Sequence, residues 1–234
     1  MFFEFRLYKV VGGRMKDIHG RFRDKLPPLF ARHGIRNIGC WTALSSPAGP
    51  TWVYLLAYTS LAERTHQWDS FYADQDWWKT RSETNDGEEM VERFDTHFLT
   101  PNPVFEIPRP DPVSPGLDEL RFVEIALGQT AAANALLRDV YLPKIVASGG
   151  RPRLVADALT GPSLPRVALL IRWPDAEVWA AAREAEERDQ TLSSLAKDQR
   201  ASIGRTLLGR SETYLLRPAE WITAGLWDWI HVPA

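Results

Sequence analysis

From Phe2 to Tyr8 the chain alternates and is rich in aromatic rings, which predicts a strand. Phe3, Phe5 and Leu7 share one face of it, and Glu4, Arg6 and Tyr8 share the other. After Gly12-Gly13, apolar residues at Met15, Ile18, Phe22, Leu26, Leu29 and Phe30 recur three and four apart, the spacing of a helix face. Pro27-Pro28 should kink or restart that helix, and His33-Gly34 stops it. Strands are predicted over 35–42 and 51–58. Ser60 with Glu63 three residues on makes a capping box for a helix over 60–81. A last strand follows over 91–99. The order is β-α-β-β-α-β. The same order recurs with strands over 120–126, 153–159, 166–173 and 211–216, and helices over 130–147 and 175–207.

The repetition extends to residues. Arg93-Phe94-Asp95-Thr96-His97-Phe98-Leu99-Thr100-Pro101 returns as Arg210-Ser211-Glu212-Thr213-Tyr214-Leu215-Leu216-Arg217-Pro218. Leu26-Pro27 followed by His33-Gly34 returns as Leu142-Pro143 followed by Gly149-Gly150. Two echoes in the same order argue for an old duplication. Ile107-Pro108-Arg109-Pro110-Asp111-Pro112-Val113-Ser114-Pro115-Gly116 cannot form a helix or a central strand and reads as a linker. The predicted organisation is therefore a ferredoxin-like repeat over 1–106, a Pro-rich linker over 107–118, and a second repeat with an aromatic tail over 119–234. A β-α-β-β-α-β unit leaves one sheet face bare, and a second copy is the natural cover. The expected fold class is α+β, a pseudo-dimeric α+β barrel of two tandem ferredoxin-like repeats.

Composition narrows the function classes. Lys plus Arg is 28 and Asp plus Glu is 30 in 234 residues, so no basic excess favours nucleic acid as a partner. Cys40 is the single cysteine, which excludes an internal disulfide and a cysteine-rich metal knuckle. It reads as a small core residue. The uncharged run from Asn37 to Ala62 is broken by Ser45-Ser46-Pro47-Ala48-Gly49-Pro50, so no membrane span is expected. The first residues lack the pattern of a signal peptide, and a cytoplasmic home is expected. Nucleotide-loop, zinc-helix and nucleophile-elbow motifs do not occur, and no metal site is predicted. The ten tryptophans exceed what a routine core requires and point to an aromatic-lined interior or pocket.

Several motifs resemble one family. Glu4-Phe5-Arg6-Leu7-Tyr8, Leu26-Pro27, His33-Gly34, Gly39-x-Trp41-Thr42, Val53-Tyr54-Leu55-Leu56-Ala57-Tyr58, Leu61-Ala62-Glu63-Arg64 and Asp74-x-Asp76-Trp77 are similar to the NIPSNAP family. The likeness covers the first half well; the second half is similar in layout and in its last strand. Ser-Pro-Ala-Gly-Pro replaces the family's Asn-rich turn. The resemblance implies the dimeric α+β barrel superfamily and little about chemistry. Eukaryotic members are linked to mitochondria and vesicle traffic. Relatives in the superfamily bind haem or carry out cofactor-free oxygenation, cyclisation or isomerisation.

The candidate chemistry lies on the strand faces. On the third strand Val53, Leu55 and Ala57 should pack on the helices, which turns Trp52, Tyr54, Leu56 and Tyr58 inward. Glu4, Arg6, Tyr54, Asp95 and His97 are then expected to converge, with Glu124, Glu212 and Tyr214 in similar places of the second copy. His97 between acids would serve as proton carrier; a structural ion-pair network is the competing reading. No cofactor is predicted from motifs. The haem alternative uses rings near His66 and Trp68, with Trp41 and Trp52 as further walls. The leading reading is a small-molecule-binding protein of undefined biochemistry, followed by a cofactor-independent oxygenase, isomerase or cyclase, then a haem-binding or interaction protein. The apolar tail from Trp221 to Ile230 suits a covered edge or a homo-oligomer contact.

Overall fold

The computed structural model describes residues 1–108 and 116–221; most of the Pro-rich linker and the tail beyond Trp221 lie outside these residues. The chain forms two compact units. The first is Met1–Phe98 with residues 218–221, and the second is Leu99–Arg217.

In the first unit β1 (Phe2–Val10), β2 (Arg36–Ser45), β3 (Thr51–Tyr58) and the start of β4 (Val91–Pro101) lie in the order β4-β1-β3-β2. β1 pairs antiparallel with β3, placing Glu4 opposite Leu56 and Arg6 opposite Tyr54. The helix predicted over 15–33 is three pieces: α1 (Met15–Gly20), a π-helical segment (Arg21–Lys25) and α2 (Leu26–Arg32). Pro27 explains the wide turn. Its ring would clash with the carbonyl four residues back, and a π turn relieves that clash. Ser60 accepts a hydrogen bond from the Glu63 amide at 3.1 Å and starts α3 (Leu61–Ala73). The helix predicted over 60–81 breaks at Asp74. That residue is extended, with φ −75° and ψ 120°, and its carboxylate accepts the Asp76 amide at 2.8 Å to cap α4 (Gln75–Asn85).

In the second unit β5 (Leu117–Ile125), β6 (Arg151–Ala158), β7 (Arg166–Trp173) and β8 (Leu208–Pro218) lie in the order β8-β5-β7-β6. Leu99, Thr100 and Pro101 of β4 pair with β6 there. α5 (Thr130–Leu136), a π-helical segment (Leu137–Tyr141) and α6 (Leu142–Ala147) again precede a Pro, here Pro143. α7 (Ala176–Arg188) and α8 (Gln190–Ile203) again meet at an aspartate, Asp189, which caps α8.

One expectation is reversed. Trp52, Tyr54, Leu56 and Tyr58 face the helices and pack with Ile18, Phe22, Phe30, Trp68 and Phe71. Val53 and Leu55 project from the other face with Phe3, Phe5 and Leu7, by alternation. The physical reason is size. The helices stand off the sheet far enough to need large rings, and three rings of this strand meet ring partners from the helices.

Candidate functional site

Turning the aromatic face toward the helices carries Glu4, Arg6 and Tyr8 with it, because they alternate in step on the neighbouring strand. Glu4 is fully buried. Arg64 of α3 grips it with both ends of its guanidinium, Nε to Oε2 at 2.9 Å and Nη2 to Oε1 at 3.1 Å. Arg6 adds a second cation, with Nε 3.3 Å from Oε1. That Nε–H makes no aligned hydrogen bond although Arg6 is only 3% exposed. The guanidinium carbon of Arg6 lies 4.2 Å from the Trp68 ring centre and 4.6 Å from that of Phe94. Rings at this range stabilise a cation that water no longer reaches.

A hydroxyl relay leads outward. Arg6 Nη1 donates to Tyr54 Oη at 3.1 Å, and Tyr54 donates to Tyr8 Oη at 2.7 Å. Tyr8 thus receives one proton and keeps its own O–H to donate. Tyr72 of α3 lies close enough to Arg6 for the two to influence each other's charge, and it stacks on Trp68 with ring centres 5.3 Å apart. Tyr72 is 42% exposed and Phe94 is 48% exposed, so two walls of the cluster are open to water.

Electrostatics fix what these groups can do. Burial opposes the charge of Arg6, but Tyr54, Tyr8 and Glu4 outweigh it and hold the guanidinium well above its ordinary value. The tyrosines exert that pull only when ionised, so near neutrality the operative partner is Glu4. Burial raises Tyr54 well above its usual range, against the pull of Arg6, and raises Tyr72 too. These hydroxyls stay protonated and act as donors. Glu4 is committed to two guanidinium groups. The cluster can hold and polarise a ligand, but it presents no ready base.

The predicted residues divide between the two sides of the sheet. Glu4, Arg6 and Tyr54 come together. Phe94 and Phe98 of β4 lie on the helix side, against Arg6 and Phe2, so Asp95 and His97 project from the opposite face. Asp95 is exposed there and His97 is buried. The five residues therefore do not converge. In the second unit Glu212 does meet Tyr214, which donates to it, and Arg166 at 3.2 Å; Glu124 stands opposite Arg166 in register. This group is also on the face away from the helical core of its unit.

The four residues of the haem alternative form no common wall. His66 is exposed on α3. Trp68 is occupied by Arg6 and donates to Tyr58 at 2.8 Å. Trp41 stands opposite Val53 and Thr42 opposite Trp52, so the Trp41 and Trp52 rings leave opposite faces of the sheet. Trp52 packs on His19 and stacks on Trp221, the one residue of the aromatic tail among those described. Among the described residues no cluster of three His, Cys, Asp or Glu could hold a metal, and no helix is long and apolar enough to cross a membrane. Cys40 is buried, and burial pushes its thiol up to about 12.

Sequence reading missed the second edition of the cluster. Glu4-x-Arg6 recurs as Glu119-x-Arg121 on β5, a signal visible in the chain. Arg121 Nη2 donates to Glu119 Oε1 at 2.9 Å, and Trp173 Nε1 donates to Oε2 at 3.0 Å. Here Glu186 of α7 joins in, 3.4 Å from Arg121 and 2.5 Å from Arg183. A separate hollow between α5 and α8, lined by Leu136, Tyr141, Leu192 and Gln199, has a cavity volume of only about 20 Å³, too small for an organic ligand.

Comparison with known proteins places the first unit. Residues 3–105 match the model of the NIPSNAP family. An uncharacterised NIPSNAP domain protein from Burkholderia xenovorans is 23% identical, over 44% of this chain and 96% of its own, with a TM-score of 0.39. Other solved structures match nearly the whole chain. A protein provisionally named a monooxygenase from Fusobacterium nucleatum is 7% identical, over 93% of this chain and 91% of its own, with a TM-score of 0.54. An anthrone oxidase-like protein is 11% identical, over 94% of this chain and 91% of its own, with a TM-score of 0.56. At these identities the likeness concerns the mixed α+β fold. No curated protein matches.

Proposed function

We propose that this chain is a NIPSNAP-type small-molecule-binding protein and that its ligand seats on the Arg6 cluster of the first unit. One observation carries the reading. A buried guanidinium, held between Trp68 and Phe94, feeds a tyrosine relay that ends in half-buried Tyr8, and the nearby Phe94 and Tyr72 are open to water. A purely structural arginine would be walled off on all sides by fixed core atoms. Arg6 is instead covered by Phe94, and Trp68 beneath it is stacked by Tyr72; these two outer rings are among the most exposed aromatics of the described residues. A ligand reaches it when one of them turns aside. Apolar walls with a few convergent polar groups are the usual make-up of a ligand site.

The two units are read as copies of one ferredoxin-like ancestor. Both have the same element order, a π-helical segment before Leu-Pro, an aspartate between their last two helices and a Glu-x-Arg on the first strand. In this reading the chain is its own pseudo-dimer, and the ligand site belongs to the first copy.

A cofactor-independent oxygenase, isomerase or cyclase is the second reading, favoured by the burial of His97 at 5% exposure. It places the proton carrier on the opposite side of the sheet from Arg6. A fragment screen by ligand-observed NMR separates the two. Hits that vanish in Arg6→Met and persist in His97→Gln support the Arg6 site. Hits that ignore Arg6→Met and vanish in His97→Gln would transfer the function to the other face.

A further inference from the structure

We infer that the Arg6 site takes a planar organic carboxylate, and that the equivalent cluster of the second unit is closed to such a ligand by its own Glu186. This rests on the small-molecule reading above and names its ligand class.

The two similar clusters differ in their balance of charge. In the second unit two guanidinium groups, Arg121 and Arg183, meet two carboxylates, Glu119 and Glu186. The charges balance inside the protein. In the first unit two guanidinium groups, Arg6 and Arg64, meet one carboxylate, Glu4. The other ionisable groups with a leading influence on Arg6 are tyrosines: Tyr54, Tyr8 and Tyr72. They supply hydroxyls and no charge near neutrality. The cluster thus holds one positive charge more than its single carboxylate balances, shared between Arg6, 4% exposed, and Arg64, 22% exposed, and an anion would complete it.

The donors left over suit a carboxylate. Arg6 turns its Nε toward Glu4 and gives Nη1 to Tyr54, and its planar guanidinium presents paired N–H groups of the kind that match two carboxylate oxygens. Tyr8, at the end of the relay, has its own O–H to give. The rings of Phe94 and Tyr72 flank these donors, so a flat conjugated frame has faces to stack on. In the second unit the carboxylate of Glu186 already bridges Arg121 and Arg183, so the protein itself takes the place of the anion.

The test is a titration of the full-length protein with benzoate, its neutral isostere benzamide and the cation benzylamine, read by tryptophan fluorescence and calorimetry. Benzoate is expected to bind at least about tenfold more tightly than benzamide, the preference that one charge-assisted hydrogen bond gives. Benzylamine should not bind. Tyr72→Glu, at an exposed position, gives Arg6 a carboxylate of the protein's own and should remove the preference for benzoate. Glu186→Ala should raise the stoichiometry from one benzoate to two. Equal affinity for benzoate and benzamide would overturn the carboxylate assignment and leave the small-molecule reading standing. Benzoate binding that survives Tyr72→Glu unchanged would overturn the location. An unchanged stoichiometry in folded Glu186→Ala would overturn the role of Glu186. No binding of any of the three at soluble concentrations would overturn the inference, while the fragment screen still decides the broader reading.

Discussion

Removing the carboxylate of Glu4 tests the charge argument through stability alone. In Glu4→Gln both Arg6 and Arg64 lose their negative partner. Two unit charges about 4 Å apart interact by about 4 kcal/mol at an effective dielectric of about 20. Part of that is recovered, because the Arg64 side chain is 22% exposed and can turn into water. The Arg6 side chain, 4% exposed, cannot follow it and keeps only its rings and Tyr54. Breaking a buried pair in this way costs about 3–5 kcal/mol, and the lower end, about 3 kcal/mol, is expected here. Glu119→Gln is the matched control. Arg121 and Arg183 would still face Glu186, so about half that loss, roughly 1.5 kcal/mol, is expected. Urea unfolding followed by far-UV circular dichroism and by tryptophan emission gives both values. If Glu4→Gln costs no more than Glu119→Gln, the claim that the first cluster is short of negative charge is wrong.

Three other expectations follow from local geometry. Gly39→Ala should destabilise by about 1–3 kcal/mol and shift tryptophan emission, since a Cβ there would lie 2.1 Å from the Trp41 ring; unchanged emission and stability would show that the ring is free to move. Cys40 should resist iodoacetamide in the native protein at neutral pH and react in urea, because its thiol is buried and pushed up to about 12; rapid native labelling by mass spectrometry would contradict that burial. The Asp74 carboxylate is held below its ordinary 3.8 by hydrogen bonds from His33, the Asp76 amide and Arg32. Its contribution is therefore complete above that ordinary value and is lost as pH falls through the lowered one. The protection of the Asp76 amide against exchange, relative to its intrinsic rate at each pH, should fall below about pH 3.8, and that fall should be absent in Asp74→Asn; an equal fall in both would assign the effect elsewhere.

Much of the fold can be read from local pattern. The strand over 51–58 and the strand over 166–173 coincide with β3 and β7, because their apolar runs are bounded by turn residues. Ser60 caps as its spacing with Glu63 predicts. The break at Asp74 is less legible, since Asp is tolerated inside a helix and becomes a cap only where the backbone turns extended. The NIPSNAP likeness of residues 3–105 is legible too. Part of it has a packing cause, as Gly39 leaves room for the Trp41 ring.

The site was legible by half. Alternation alone groups Glu4, Arg6 and Tyr8, and separates Asp95 and His97 from Phe94 and Phe98. Alternation gives two faces and does not say which face meets the helices. Both faces of β3 are apolar and buried, so no polar stripe marks the outside. That choice was made by packing, where the large rings of Trp52, Tyr54 and Tyr58 met Phe22, Trp52's neighbour His19, and Trp68 across the sheet–helix layer. The sequence by itself determined the elements, their order and the pairing of glutamate with arginine on each first strand. Only the tertiary structure decided which side of the sheet those pairs occupy and that Glu186 joins one of them and not the other. A side chain's face is a local property, whereas its partners across a layer come from residues about sixty positions away.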